Sequence, residues 1–276
     1  MNLWLAGVIT AAAVAGMVTL MFFVRRRAPV GGFFNDSDRA AGVFGVIGTS
    51  FAVLLAFVIF LAFESYQTAK AEAGREAVVV LQQYTTANVF SPDARAELQG
   101  ELICYGRAVV DDEWRTMRHR RPSRLVDRWA DDLQTSLVDL EITGEKQAIA
   151  YELWWTEDDL REEARRGRLS EATPIVPPPL WLVLILGAAV VLTYMCAYAD
   201  SGERFFVQAM MIGAVTAIVA SSMLVVFFLD RPYENRSGSI RPVEMTRTLE
   251  HIDVLQELSS GTVPVPCDER GRPSAD

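Results

Sequence analysis

Cysteine is scarce in this chain of 276 residues, and its scarcity excludes one class of protein. The three cysteines, Cys104, Cys196 and Cys267, are too few and too scattered for a disulfide framework, and no Cys-x-x-Cys motif occurs. Cys196 falls inside an apolar run, where a thiol usually packs as a small apolar group. The cysteines therefore do not identify the redox compartment.

Histidine and the common catalytic motifs are also scarce or absent. His119 lies in the basic run 118–121, which would repel a metal cation, and His251 stands alone on a short amphipathic helix. The acidic cluster 111–113 lacks the glycine-containing spacing of a calcium loop and is expected to be a solvated helix face. No Ser/His/Asp set, phosphate-binding loop or Gly-x-Ser-x-Gly motif is present. We therefore predict that the protein is not an enzyme and has no catalytic residues, metal site or cofactor.

Basic charge is in deficit, with 26 Lys and Arg against 35 Asp and Glu, a net charge of −9. This balance argues against nucleic acid as a partner, because phosphate binding needs a basic face. Alternating strand patterns and hairpin signals are missing as well. What the chain does have is apolar side chains, 51% of the total. That share indicates a protein with a membrane part and a sizeable aqueous part.

Four uncharged apolar segments are long enough to cross a bilayer. They are Leu3–Val24, Val43–Phe63, Leu180–Ala199 and Phe205–Leu229. The first is too long for a signal-peptide core and has no basic residue before it, so we expect it to stay uncleaved, with the mature chain starting near Met1. The predicted fold class is all-α: four transmembrane helices with a helical aqueous region between the second and third spans.

The predicted segments follow from these spans. Residues 1–63 form a first transmembrane helix pair, 64–178 a helical aqueous region, 179–230 a second transmembrane pair, and 231–276 an amphipathic helix with a disordered tail from Gly261. The second span has no proline after it and should continue into water to about Phe90. Three further aqueous helices are expected to start at Ser91-Pro92, at Pro122-Ser123 and after Gly144.

On the second and fourth spans, residues of similar size recur every four positions and so form rows along the helix. The rows are of two kinds, small residues and larger apolar residues. Small residues that let another helix approach closely are Gly48, Ala52 and Ala56, then Gly213, Ala217 and Ser221. They predict helix contact within or between subunits, although small residues are common in membrane helices generally. Larger apolar residues of the second span form another row, Leu55, Ile59 and Phe63.

The order and spacing of these features resemble the bestrophin-like membrane proteins, a bacterial family described as a domain of unknown function. The resemblance is carried by LLAFVIFLAFES running into Glu72, Arg75 and Glu76, by Arg165–Leu169 with Pro179-Leu180-Trp181, and by Leu229–Tyr233. More distantly the chain is similar to bestrophins, which are pentameric anion channels whose second membrane helix lines the pore. The resemblance implies that Leu55, Ile59 and Phe63 form an apolar pore neck.

Glu64 follows this row and departs from the bestrophin pattern, in which a basic residue is common. A ring of Glu64 carboxylates would favour cations, so Glu64 is the selectivity candidate. The alternative for the neck row is that it only faces lipid or neighbouring helices.

The function predicted is an ion-conducting homo-oligomer in a bacterial inner membrane, crossing the lipid bilayer several times and passing an inorganic ion. The alternative is a non-conducting membrane scaffold or sensor whose helical region binds a partner. A channel of this kind requires an oligomer, whereas a scaffold does not.

Two arguments on orientation conflict. Arg25–Arg27 and Arg39 flank the short link between the first two spans, and the positive-inside rule then places that link in the cytoplasm and the aqueous region outside. The likeness to bestrophins implies the opposite, and Lys70, Arg75 and Arg165 agree with it. Charges in a long region count for less, so we favour the charge rule here.

Overall fold

The computed structural model of the protein describes residues 3–258 and 263–274. In that part of the chain the structure is helical, and the only β pairing is an isolated bridge between Cys267 and Pro273. The α-helices are α1 (Leu3–Arg25), α2 (Ser37–Thr86), α3 (Pro92–Ala108), α4 (Trp114–Met117), α5 (Arg124–Val138), α6 (Glu145–Ser170), α7 (Pro178–Ala197), α8 (Phe205–Leu229) and α9 (Val243–Leu258). Helices α1, α2, α7 and α8 are long and apolar enough to span a membrane. The predicted all-α fold with four spans is confirmed.

Helix α2 is the longest element, with 50 residues. Its start is capped by Asp36, whose Oδ1 accepts a hydrogen bond from the backbone N–H of Arg39 at 2.9 Å. It ends in a 3₁₀ turn, Ala87–Val89, and Ser91 is then extended before Pro92, as residues before proline prefer. Its length is about 75 Å, against about 30 Å for the hydrocarbon core of a bilayer. The helix therefore continues well past its apolar part, as the sequence predicted.

The start signals of the aqueous helices are also where the sequence predicted them. Ser91 caps α3 by accepting a hydrogen bond from the backbone N–H of Ala94, and Ser123 caps α5. Gly144, with a φ of +86°, precedes α6. The sequence did not reveal the π-helical segment Val109–Glu113, which follows α3 directly.

The chain divides into two compact units. The membrane unit comprises the chain up to Ser65 together with Pro174–Arg231 and Asn235–Gly238. The aqueous unit comprises Tyr66–Thr173, Pro232–Glu234 and the described chain from Ser239 onward. Each unit has its own buried apolar core.

The membrane unit is held by apolar packing among its helices and by polar contacts at its turns. Its larger core cluster contains residues of α2, α7 and α8: Phe51, Leu55, Val58, Leu184, Ala188, Val191, Val219 and Val226. The α1–α2 and α7–α8 links touch, because the backbone N–H of Gly31 donates to Asp200 Oδ1 at 3.1 Å. Asp230, at the end of α8, accepts a hydrogen bond from the backbone N–H of Val176 at 2.8 Å. This bond explains the aspartate of the Leu229–Tyr233 motif.

A close helix approach in this unit involves Gly187 of α7. A Cβ atom added to Gly187 would lie 2.5 Å from Cδ2 of Phe51 on α2, which is inside van der Waals contact. At Gly48, by contrast, an added Cβ would meet nothing within 4 Å. The glycine that α2 requires for packing is therefore on α7, outside the predicted small-residue rows.

The aqueous unit is a helical bundle with a buried ionic cluster at its centre. Arg168 of α6 is fully buried and binds both oxygens of Glu76, with Nε–Oε2 2.5 Å and Nη2–Oε1 2.9 Å. The same guanidinium reaches Glu113 Oε2 at 2.5 Å, and Tyr105 donates its hydroxyl to Glu76 Oε1 at 2.8 Å. Arg168 thus joins α2, α6 and the π-helical segment.

A second arginine extends this cluster outward. Arg165 Nη2 lies 2.6 Å from Glu113 Oε1 and 2.7 Å from Asp127 Oδ1 on α5. Burial by itself raises the pKa of the Glu113 carboxyl, but Arg168 and Arg165 outweigh burial and lower the pKa below its usual range. Glu113 is therefore a buried carboxylate that stays ionised at neutral pH. We refer to Glu76, Glu113, Arg165 and Arg168 as the arginine cluster.

The C-terminal segment 263–274 packs against α3 and α5, so the predicted disordered tail is wrong for these residues. Cys267 forms a disulfide with Cys104 of α3, and Trp129 of α5 donates its indole N–H to Gly271 O at 2.7 Å. Gly271 has a φ of +73°, and an added Cβ there would lie 2.5 Å from the backbone nitrogen of Ala108. The rest of the predicted tail, residues 261–262 and 275–276, lies outside the described residues.

Gly187→Ala is expected to destabilise the membrane unit by about 1–3 kcal/mol, because the new methyl group must displace the Phe51 ring. Gly48→Ala is the matched control, since it adds the same methyl group to open space on a helix. Thermal unfolding in detergent should show a lower Tm for the first variant alone. Equal Tm values for the two variants would contradict the close approach.

Arg168→Met should cost about 3–5 kcal/mol, because it leaves two buried carboxylates without their shared partner. Arg166→Met is the control on the same helix: Arg166 is exposed and forms an ion pair with Glu162, which is exposed to solvent too, so its removal should change stability by no more than about 0.5 kcal/mol. Denaturant titrations followed by circular dichroism measure both. Similar midpoints for the two variants would show that the arginine cluster is not a stabilising element.

Candidate functional site

Helix α2 presents two different apolar faces within the membrane unit. One face is buried and carries Phe51, Leu55, Val58 and Ala62. The opposite face is exposed: Val53, Phe57 and Phe60 have 65%, 59% and 61% of their surface accessible. The second face is large, apolar and uncovered in a single copy of the chain.

The exposed face of α2 ends at a charged residue, Glu64. Val53, Phe57, Phe60 and Glu64 are spaced by four, three and four residues, so they point within about 60° of one another. We call these four residues the exposed row. Thr49 and Ser50, nearer the start of the helix, are exposed too, and in the described part of the chain their hydroxyls form no hydrogen bond. This surface therefore has polar groups at both ends and large apolar groups between them.

The predicted neck residues do not share one environment. Leu55 is buried, with 7% of its surface accessible, and contributes to the core with α7 and α8. Ile59 is half-buried against the same core, whereas Phe63 is 48% exposed. Steps of four residues drift by about 40° each, which turns Phe63 about 80° away from Leu55. The neck assignment of these three residues stays a prediction.

The predicted helix-packing residues also differ in their surroundings. Gly213 of α8 is buried, and an added Cβ would lie 3.4 Å from Val14 Cγ1 on α1. Ala217 is half-buried, and Ser221 is exposed and donates its hydroxyl to the carbonyl of Ala217 at 2.7 Å. On α2, Gly48 is half-buried while Ala52 and Ala56 are exposed.

A groove with charged walls lies in the aqueous unit. It has a volume of about 410 Å³, and its walls include Lys70, Arg241 and Arg247 together with Trp114 and Tyr66. The backbone of Ile240, which lines the groove, is held by two hydrogen bonds: the Trp114 indole donates to Ile240 O at 3.1 Å, and Ile240 N–H donates to Pro232 O at 2.8 Å. Glu244 lines the groove as well and pairs with Arg247 at 3.2 Å, so the attraction for a small anion comes mainly from Lys70 and Arg241.

Metal chemistry has no structural support in the residues described. Among them no three His, Cys, Asp or Glu side chains are grouped so as to hold a metal ion. In the acidic cluster 111–113, Asp112 pairs with Arg115 at 2.6 Å and accepts a hydrogen bond from the Ser123 hydroxyl at 2.5 Å. Its carboxylate is thus bound within the protein.

Sequence reasoning missed the exposed row although one signal for it was available. Placing Glu64 on a helical projection puts Phe60, Phe57 and Val53 on the same side, but an apolar row facing lipid looks identical to one facing the protein core. Only the packing of α2 against α7 and α8 tells the faces apart.

Comparison with known proteins identifies the family. Residues 8–242 match the Bestrophin-like domain family. No curated protein matches the sequence. Among solved structures, a bacterial Bestrophin homolog from Klebsiella pneumoniae, in a single-residue variant, superposes with a TM-score of 0.70 at 14% identity, covering 91% of this chain and 98% of the homolog. A structure of the Klebsiella pneumoniae homolog solved by zinc anomalous phasing gives a TM-score of 0.68 at 13% identity, covering 91% and 99% of the two chains.

At 13–14% identity the superpositions establish the fold alone. The sequence match extends from α1 to the residue before α9, and so includes all four spans, the arginine cluster and Glu64. Together they show that this chain belongs to the Bestrophin-like domain family.

Proposed function

We propose that the protein is one subunit of an oligomeric ion channel, in which the exposed row of α2 lines the conduction path. The observation that carries this proposal is the exposed face of α2, apolar along the span and acidic at its end. The distant likeness to bestrophins, stated from the sequence, supports the same class of function.

A single copy offers no room for a path between α2, α7 and α8. Leu184 and Val226 are completely buried among α2, α7 and α8, so this part of the interior is filled with side chains. A path for ions then lies between copies, and its walls must be exposed in one copy. Val53, Phe57 and Phe60 meet that condition, and Leu55 does not.

The side chains of the exposed row explain how such a path is gated. Rings of Val53, Phe57 and Phe60 form an apolar constriction, which holds water poorly and closes by dewetting when it is narrow. Glu64, exposed at the end of the row, adds one negative charge per subunit near the mouth. That ring concentrates cations and repels anions.

A second candidate is a non-conducting scaffold or sensor, and the groove of the aqueous unit favours it. Lys70 and Arg241 provide a place for an anionic ligand that has no necessary link to conduction. Two measurements separate the candidates: the oligomeric state of the purified protein in mild detergent, and ion flux through the reconstituted protein. A monomer, or a stable oligomer with no flux under any ionic condition, would favour the scaffold or sensor.

Changing Val53, Phe57 and Phe60 to Ala together should raise ion flux from proteoliposomes by at least about tenfold, because a wider and less apolar constriction stays wet. The increase corresponds to a barrier lower by about 1.4 kcal/mol. The control changes Leu182, Ile185 and Leu186, which are exposed to a similar degree on α7, to Ala and should leave flux unaltered.

A parallel variant with Leu55, Ile59 and Phe63 changed to Ala tests the neck predicted from the sequence. If flux rises in this variant and not in the Val53 set, the neck belongs to the Leu55 row. If neither set changes flux in a correctly assembled oligomer, α2 does not line the path.

Glu64→Gln should lower the ratio of cation to anion permeability several-fold, since it removes the ring of negative charge near the mouth. Reversal potentials in KCl gradients measure this ratio, and the difference from the parent should shrink at high ionic strength because salt screens exposed charges. Glu141→Gln, an exposed change in the aqueous unit, serves as the control. An unchanged ratio at low salt would remove Glu64 from the path.

A further inference from the structure

The disulfide between Cys104 and Cys267 belongs to a built contact. Both cysteines are buried, and their Cα atoms are 5.8 Å apart although 163 residues separate them in the chain. Around the bond, Arg107 Nη1 donates to Asp268 O at 3.3 Å, and Trp129 donates to Gly271 O. The segment is therefore positioned by contacts that do not depend on sulfur.

Two glycines make this contact sterically feasible. A Cβ added to Gly100 of α3 would lie 2.4 Å from the carbonyl oxygen of Pro264, and one added to Gly271 would lie 2.5 Å from the nitrogen of Ala108. Glycine thus occurs at two close approaches of the C-terminal segment to α3. One approach involves Pro264, before Cys267, and the other involves Gly271, after it. This close fit brings the two thiols together.

Such a bond indicates which compartment the aqueous unit occupies. Disulfides persist in exported compartments, whereas the cytoplasm of most cells keeps thiols reduced. Here the surrounding contacts bring two buried cysteines within bonding distance. Such a pair is oxidised on the exported side of the membrane and reduced on the cytoplasmic side.

The distribution of arginines gives a separate indication. The α1–α2 and α7–α8 links lie on one side of the bilayer, since two spans separate them and they contact each other through Gly31 and Asp200. This side carries Arg25, Arg26, Arg27, Arg39 and Arg204. The other side carries three arginines, at 231, 236 and 241, after α8. It also carries Lys70, Arg75, Arg165, Arg166 and Arg168, but these belong to the long region between the second and third spans, whose charges count for less. The arginines of the two short links therefore decide the orientation by the positive-inside rule, which places the links in the cytoplasm.

We infer that the aqueous unit lies outside the cytoplasm and that Cys104 and Cys267 are a site of oxidative modification there. The two thiols lose two protons and two electrons, which pass to the disulfide of an exported thiol oxidoreductase through a mixed disulfide. The oxidoreductase leaves as a dithiol, and the S–S bond forms between Cys104 and Cys267. This orientation is the reverse of the one that the likeness to bestrophins implies, and it does not depend on whether the protein conducts ions.

Thiol counting on the full-length chain tests the bond. Cells expressing the protein are quenched in acid, denatured, and treated with a small alkylating reagent to block free thiols. The sample is then reduced and treated with a maleimide-polyethylene glycol mass tag. The parent chain should gain two tags after reduction and none without it, because only Cys196 is free. Cys196→Ser should behave identically, and Cys104→Ser should gain no tags.

A parent chain that gains no tags after reduction would overturn the proposal, because both thiols were then free in the cell. A disulfide-linked dimer on a non-reducing gel would overturn it too, since the bond would join two copies.

Accessibility on intact spheroplasts tests the side of the membrane. In a Cys196→Ser background that keeps the disulfide, Glu141→Cys places a thiol on the aqueous unit and Ser37→Cys places one at the start of α2, beside the link; both positions are exposed. A membrane-impermeant maleimide should label the first variant on intact spheroplasts and the second only after permeabilisation. The reverse pattern would place the aqueous unit in the cytoplasm and overturn the inference, whatever the flux measurements show.

Discussion

The contact of Arg168 with Glu76 and Glu113 is the interaction on which the aqueous unit depends. All three side chains are inaccessible to solvent, and one guanidinium satisfies two carboxylates that originate 37 residues apart in the chain. Burying a single charge is prohibitive, and each member is tolerated only because the others are in place. The cluster therefore sets the register of α6 against α2 more strictly than apolar packing does, since an apolar contact can slide by a turn at small cost and a bidentate ion pair cannot.

The helices of the membrane unit are held together by a different kind of interaction. Its interior and its lipid-facing surface are equally apolar, so the helices are positioned by shape, as where Gly187 admits the ring of Phe51. Polar bonds that join separate segments lie near the helix ends, as between Asp230 and Val176 and between Tyr194 and Ala40. The three motifs that carried the family resemblance thus have different structural roles: Glu76 and Arg168, from the first two, are partners in one ion pair, and Asp230, from the third, lies at the end of α8.

Local features of the fold could be predicted from the sequence, and distant partnerships could not. The four spans follow from apolar length, and the starts of α3 and α5 follow from Ser91 and Ser123, because these signals lie within a few residues. Other features join residues far apart in the chain, and no periodicity of the sequence predicts them. These are the disulfide, the arginine cluster and the ordered segment 263–274. For the candidate site, periodicity showed that α2 has apolar rows, but hydropathy does not distinguish a side chain facing the core, such as Leu55, from one facing outward, such as Phe57.

The bond from Cys104 to Cys267 has a consequence for how the protein is made. The stretch of chain it closes includes α7 and α8, so the ring passes through the bilayer and back. Cys267 can reach Cys104 only after both of these spans have been inserted and the C-terminal segment has arrived on the same side as α3. A chain that carries this bond is therefore one in which α7 and α8 have both been inserted.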